Sequence, residues 1–292
     1  FDYYTGMVFE AYAPGVGSPL GSGGRYDRML SVFGPDRPAA GFAFFLEQAM
    51  FAAEQDKNAP SAERPLRIAV PKGSLNPDSI EALAAAGLDT TGLDNPGRLL
   101  VIANPGVEYV IVRPSDAPVF VALGAADCGI CGKDSLLEAQ SECVELVDLG
   151  FGACRFIVAE PAQAADEVAK RAQQRGYLRV ATKYPHITQW FYDKCGVQVE
   201  IVQLHGNIEL APLTGLAERI VDITATGTTL RENNLVVIDE VLSSTARFIA
   251  NPCAFRTNSS IRLLAGKLKA HACEMTYEPI AGASQSNPAS TR

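Results

Sequence analysis

Basic residues recur in this chain where short apolar runs stop. Lys72 follows the run 66–70, Arg113 follows 109–112, Lys133 follows 128–131, Lys183 follows 179–181, and Arg98 stands in a turn after Pro96-Gly97. A second feature is the stretch Ile220-Val-Asp-Ile-Thr-Ala-Thr-Gly-Thr-Thr-Leu-Arg-Glu-Asn233. It reads as a short buried strand ending in Asp222, a loop of small residues, and a helix beginning near Thr229. Three groups there suit a phosphate: the hydroxyls of Thr226, Thr228 and Thr229, the backbone N–H groups of Ala225 and Gly227, and the positive end of a helix. Asp222 can accept hydrogen bonds from sugar hydroxyls beside that phosphate. Any one of these features alone reads more simply as a solvated charge or an ordinary strand–helix turn. Together they stand in a chain of formal charge −8, with 25 Lys and Arg against 33 Asp and Glu. That combination points to a polyanion, such as a diphosphate or triphosphate, bound by a few positioned groups.

The elements that must position these residues alternate. Strand-like runs at 66–70, 99–102, 109–112, 128–131, 179–181 and 197–204 are interleaved with helical segments closed by Gly87, Gly176 and Gly196. After the small-residue loop come a strand at 235–238 and a helical region to about His271. This alternation predicts an α/β fold with mostly parallel strands and ligands at the strand C-termini. Residues 53–65 are polar and Pro-containing and read as a linker; 273–292 read as a disordered tail.

At 292 residues, 47% of them hydrophobic, the chain holds a sizeable core. No apolar run approaches a membrane span, and the acidic balance argues against a general nucleic-acid surface. Seven scattered cysteines suit a reducing cytoplasm. Cys128 and Cys131 form the one C-x-x-C and read as small core residues, since no second pair completes a zinc site. His186, His205 and His271 lie far apart and form no acid–base or metal pattern.

Ahead of the linker, Phe1–Tyr12 alternates like a strand, Gly21–Asp27 reads as a Gly-rich turn, and 39–48 as strand running into helix. Asp2-Tyr-Tyr-Thr-Gly6, Gly23-Gly-Arg-Tyr-Asp27 and Gly41-Phe-Ala43 resemble the end of a histidyl-tRNA synthetase catalytic domain. The resemblance places an ATP-contacting Arg at position 48, where this chain has Gln, which cannot neutralise a phosphate. Residues 1–52 therefore resemble a fragment of the synthetase-like, α+β regulatory subunit of ATP phosphoribosyltransferase. About fifty residues bury too little surface to fold well alone.

Downstream, Arg113-Pro-Ser-Asp116, Gly124-Ala-Ala-Asp127, Gly132-Lys-Asp134, Asp148-Leu-Gly-Phe-Gly-Ala-Cys-Arg155, Ala181-Thr-Lys-Tyr-Pro185, Glu209-Leu-Ala-Pro-Leu213 and Asp222–Asn233 occur in order. Together they resemble the short-form catalytic subunit of ATP phosphoribosyltransferase over residues 66 to about 271. The resemblance implies two lobes like those of periplasmic binding proteins, 66–153 with 235–272 and 154–234, with the site in the cleft between them. It implies transfer of a ribosyl group from phosphoribosyl pyrophosphate to N1 of ATP's adenine, with Mg²⁺, a homodimer, and assembly with a synthetase-like regulatory subunit. Within it, Ala225–Thr229 hold the 5′-phosphate, Asp222 and Glu209 the ribose, and Lys72, Arg98 and Arg113 the leaving pyrophosphate; Lys133 and Asp134 lie near ATP. One departure is Ser74, where the family commonly has Arg. The alternative is a non-catalytic protein of the same fold that binds a small anion or senses histidine.

Overall fold

The computed structural model describes residues 3–58, 64–162, 164–224 and 227–276. The N-terminal segment is a three-stranded antiparallel sheet, β1 (Val8–Ala11), β2 (Gly21–Arg25) and β3 (Ala40–Phe44), followed by α1 (Leu46–Asn58). Two expectations are corrected here. The glycine-rich stretch is not a turn but the central strand, because its missing side chains make room for neighbouring rings. A Cβ on Gly23 would lie 2.7 Å from the Phe9 ring, and one on Gly21 2.6 Å from that of Phe42. The helix α1 also runs through 53–58, where a linker was expected. Phe9, Phe42 and Phe44 remain about half exposed, in keeping with a segment too small to bury its own apolar face.

The first lobe follows, with β4 (Leu66–Pro71), α2 (Asn76–Ala85), β5 (Val101–Asn104), β6 (Val107–Val112), α3 (Ala117–Ala122), β7 (Cys128–Gly132), α4 (Lys133–Ala139) and β8 (Val144–Asp148). The second lobe comprises β9 (Cys154–Pro161), α5 (Ala165–Arg175), β10 (Leu178–Thr182), α6 (Pro185–Cys195), β11 (Val199–Gln203), α7 (Leu210–Leu213), β12 (Arg219–Thr224), α8 (Thr228–Glu232) and β13 (Leu235–Ser244). The chain then returns through β14 (Ala246–Ala250), α9 (Pro252–Thr257) and α10 (Ser259–Thr276). The first sheet has the order β5-β6-β4-β7-β14-β8 and the second β11-β10-β12-β9-β13.

The return to the first lobe comes later than expected. Residues 235–244 pair antiparallel with β9 in the second sheet, so the crossing falls at Thr245 and not near 235. Residues 246–250, expected to be helical, form a strand between β7 and β8, buried at every position but Arg247. The ladder decides this: Phe248, Ile249 and Ala250 have core on both faces of the sheet, and a strand satisfies their backbone groups there. At the other end α10 continues to Thr276, into the stretch expected to be tail; residues 277–292 lie outside the described residues.

Cys128 and Cys131 are fully buried on β7, as small core residues. In the second lobe Glu218 is nearly inaccessible and accepts hydrogen bonds from Arg175 (2.7 Å), from the Arg179 side chain (2.7 Å) and from the Arg179 N–H (3.0 Å). Burial pushes its carboxyl up, but these donors outweigh burial and hold it at about 2. A depressed folded pKa gives stability that is present above the unfolded value and lost as pH falls through the folded one. Glu218→Gln should therefore lower unfolding free energy at neutral pH by about 3 kcal/mol. In urea titrations that deficit should shrink between about pH 4.5 and pH 2.

Candidate functional site

Strand pairing brings the expected cations to one edge. Pro71 of β4 is paired with Val112 of β6, so Lys72 and Arg113 leave adjacent strands side by side; the Lys72 N–H also donates to the Val112 carbonyl at 2.8 Å. Strand β5 is antiparallel, with Val101 opposite Val110, which carries the Arg98 turn to that same end. Lys72, Arg98 and Arg113 are all exposed, and among the described residues none has an acidic partner within ion-pair distance. Lys133 and Asp134 reach this edge too, but with ties of their own. Lys133 pairs with Glu145, and Asp134 accepts from the Ser244 hydroxyl at 2.8 Å and the Asp134 N–H donates to that oxygen at 3.0 Å.

The second sheet turns its corresponding edge toward the first. Two crossings join the sheets, 149–153 and Thr245, and they are hydrogen-bonded to each other: Leu149 N–H to the Ala246 carbonyl and Ala246 N–H to the Phe151 carbonyl, both at 2.9 Å. Thr224, at the end of β12, is paired with Arg155 beside these crossings. The C-terminal ends of the parallel strands in both lobes thus open on one cleft.

At the end of β12 lies a cavity of about 140 Å³ lined by Glu209, Asp222, Thr224, Gly227, Thr228 and Thr229 among others. Five residues expected to hold a phosphoribosyl group therefore share one wall; Ala225 and Thr226 lie outside the described residues. Asp222 sits two residues before the strand end, not at it, and lines the cavity from there. Gly227 adopts φ +71°, the left-handed region open to glycine, at the N-cap of α8; its N–H donates to the Thr224 hydroxyl at 2.9 Å, closing the loop. Two larger cavities, of about 710 and 540 Å³, lie elsewhere: one at the opposite edge of the first sheet around Leu66 and Gly106, one between the N-terminal segment and α9. Neither is lined by any of the expected site residues.

Burial pushes the Asp222 carboxyl above its ordinary 3.8 and nearby Glu209 adds to this, while the Ile223 N–H and Lys183 oppose it. Lys183 was noted as a strand-end cation without a role; Thr182 of β10 pairs with Val221, so Lys183 stands across from Asp222. Tyr184 follows it, packed edge-on against Phe156 at 4.8 Å between ring centroids. Burial, then Asp134 of the first lobe and Asp222 of the second, push the Tyr184 phenol up. The Lys183-Tyr-Pro185 spacing after a strand was the available signal for both.

The family description ATP phosphoribosyltransferase matches residues 113–270, a span that begins at Arg113 and contains the 222–229 loop. The chain belongs to the ATP phosphoribosyltransferase family. A Rubrobacter xylanophilus ATP phosphoribosyltransferase is 52% identical over 66% of this chain and 89% of its own length. One from Moorella thermoacetica is 49% identical over 66% and 86%. Among solved structures, the ATP phosphoribosyl transferase (HisG:HisZ) complex from Thermotoga maritima contains a chain matched at a TM-score of 0.60, with 30% identity over 72% of this chain and 99% of that one. The N-terminal residues 1–49 match a separate family, histidyl-tRNA synthetase.

A raised carboxyl pKa means that ionising Asp222 opposes folding. The cost is absent below the ordinary value and complete above the folded one. Asp222→Asn should thus melt at higher temperature than the parent protein at pH 7, and the difference should vanish below about pH 4. Lys183→Ala should move the Asp222 titration, followed by carboxyl-carbon NMR, further upward.

Proposed function

We propose that this protein is an ATP phosphoribosyltransferase: it joins N1 of ATP's adenine to the ribose C1 of phosphoribosyl pyrophosphate and releases pyrophosphate, the first step of histidine biosynthesis. The observation that carries this reading is the meeting of two complementary edges in one cleft. One wall offers hydroxyls, backbone donors and a half-buried carboxylate at Gly227–Thr229 and Asp222; the other offers the exposed cations Lys72, Arg98 and Arg113.

In this reading the 5′-phosphate sits at the start of α8, and Asp222 with Glu209 accepts hydrogen bonds from the ribose hydroxyls. The anomeric carbon then lies between the lobes with its diphosphate directed at the first. As the C1–O bond lengthens, positive charge grows on the ring and negative charge on pyrophosphate, and Lys72, Arg98 and Arg113 stabilise the latter. Adenine N1 carries its own lone pair, so the protein's task is to hold two reactants in line and exclude competing water. Lys133 and Asp134 border the ATP side, where their ties to Glu145 and Ser244 shape the cleft wall more than they offer open charge.

Mg²⁺, when bound, neutralises the diphosphate. Among the described residues no three His, Cys, Asp or Glu converge as a cage. Glu209 and Asp222 line the sugar cavity as hard oxygen donors, a set that suits a cation otherwise coordinated by substrate oxygens. The catalytic chain is read as a homodimer that assembles with a synthetase-like regulatory subunit in the cytoplasm. The match of residues 1–49 supports the regulatory partner. Among the described residues no helix is long and apolar enough to cross a membrane.

Incubation with ATP, phosphoribosyl pyrophosphate and Mg²⁺ should give an ultraviolet-absorbing adduct and one pyrophosphate per adduct. Nucleotide binding without either product would favour a binding-only protein. Arg113→Ala should lower kcat/KM by about two orders of magnitude, on the order of 3 kcal/mol of transition-state stabilisation. Near-normal turnover would remove Arg113 from that role.

A further inference from the structure

The N-terminus of α6 lacks a cap from its own sequence. Tyr184 stands at the N-cap position without a side-chain hydrogen bond, and Pro185 at the first turn has no N–H to offer. The next two N–H groups, of His186 and Ile187, find no carbonyl within their own helix. Both are satisfied from the other lobe. The Glu138 carboxylate, on α4, takes the His186 N–H on one oxygen and the Ile187 N–H on the other, each at 3.1 Å. The His186 ring Nδ1 completes the contact at 2.8 Å from the Glu138 backbone carbonyl. Glu138 keeps only 19% of its side chain accessible.

This contact joins elements that matter on both sides. Helix α4 begins at Lys133, directly after the first-lobe strand β7. Helix α6 begins directly after Lys183 and Tyr184, the pair that faces Asp222 and Phe156. The crossings at 149–153 and Thr245 tether the lobes but leave their separation adjustable, since a two-strand connection bends with small backbone changes. A bidentate carboxylate with a helix end removes that freedom, and hydrogen bonds to a charged group are stronger than those between neutral groups.

We infer that Glu138 is a positioning residue for the reaction: by capping α6 across the cleft it fixes the spacing between the first lobe's cations and the Asp222–Thr229 wall. It touches neither reactant. The inference rests on the transferase reading above, and its expected signature is in substrate capture more than in chemistry. With the lobes unlatched, the sugar diphosphate must draw both walls together before either holds it fully, so its apparent affinity falls by the fraction of molecules already closed.

Steady-state kinetics of the whole chain with Glu138→Ala should show KM for phosphoribosyl pyrophosphate raised about tenfold, with kcat within about threefold. Glu138→Gln keeps one carbonyl acceptor and should fall between, which guards against simple loss of fold in the alanine variant. Hydrogen exchange should quicken both at 186–187 and on α4, and small-angle scattering should report a larger radius of gyration for the alanine variant. Faster exchange confined to α6, with KM and radius unchanged in both variants, would overturn the inference and leave Glu138 an ordinary helix cap. If the parent protein forms no adduct, the transferase reading fails on its own, while exchange and scattering still decide whether Glu138 latches the lobes.

Discussion

Everything in this chain that bears on chemistry depends on the paired crossing between its two sheets. Leu149 and Phe151 on one strand and Ala246 on the other are hydrogen-bonded to each other, so the chain passes between lobes as a two-stranded ribbon. Asp148, Thr245 and Arg247 brace it: the Thr245 hydroxyl donates to Asp148 at 2.8 Å and Arg247 pairs with Asp148 and Glu145. Because β8 enters the crossing at its C-terminal end and β14 leaves it beside the end of β7, the C-terminal edges of both sheets must face each other. Distant segments of sequence on the two sheets are thereby brought to face each other.

The charge economy of the cleft follows from the same geometry. In the proposed reaction an acidic protein cannot attract a diphosphate by its overall field, so a few local cations and oriented dipoles must do so. Lys72, Arg98 and Arg113 stay exposed and hydrated, whereas Lys133 and Arg247 are already paired with Glu145 and Asp148. Asp222 is the opposite case, a carboxylate held partly out of water with, among the described residues, Lys183 and the Ile223 N–H in its favour. Such a group weakens the fold wherever it is ionised. The N-terminal segment is docked apart from all this, through a backbone approach in which a Cβ on Gly17 would lie 2.7 Å from the Leu123 carbonyl. Asn251, fully buried, secures it by donating to the Gly17, Val121 and Ala122 carbonyls while capping α9.

Much of this was legible beforehand, for physical reasons that differ by residue. The strand-end positions of Lys72 and Arg113 and the cradle around Gly227 are local patterns, set by period and turn chemistry, and they survive into the fold. What sequence period cannot report is pairing between remote segments. Beyond the strand read at 235–238, the run to 250 carries apolar residues that fit a helix or a strand equally well, and its ladders with β9 and β7 decide the matter. Lys133 looked available for ATP because nothing nearby announces Glu145, which arrives through the β14–β8 pairing. Glu138 carried no signal at all, since its partners, two backbone N–H groups and the His186 ring, lie on another lobe. The glycine strand at 21–25 misled for the converse reason: its composition is that of a turn, and its conformation is imposed by the aromatic rings that lie across it.

The most direct measurement is a crystal structure of the protein with phosphoribosyl pyrophosphate and Mg²⁺. The 5′-phosphate should lie against Gly227–Thr229, the ribose hydroxyls on Asp222, and the diphosphate directed across the cleft toward Lys72 and Arg113. A sugar diphosphate bound instead at the opposite edge of the first sheet, or in the cleft with its phosphate away from the 227–229 turn, would contradict this placement.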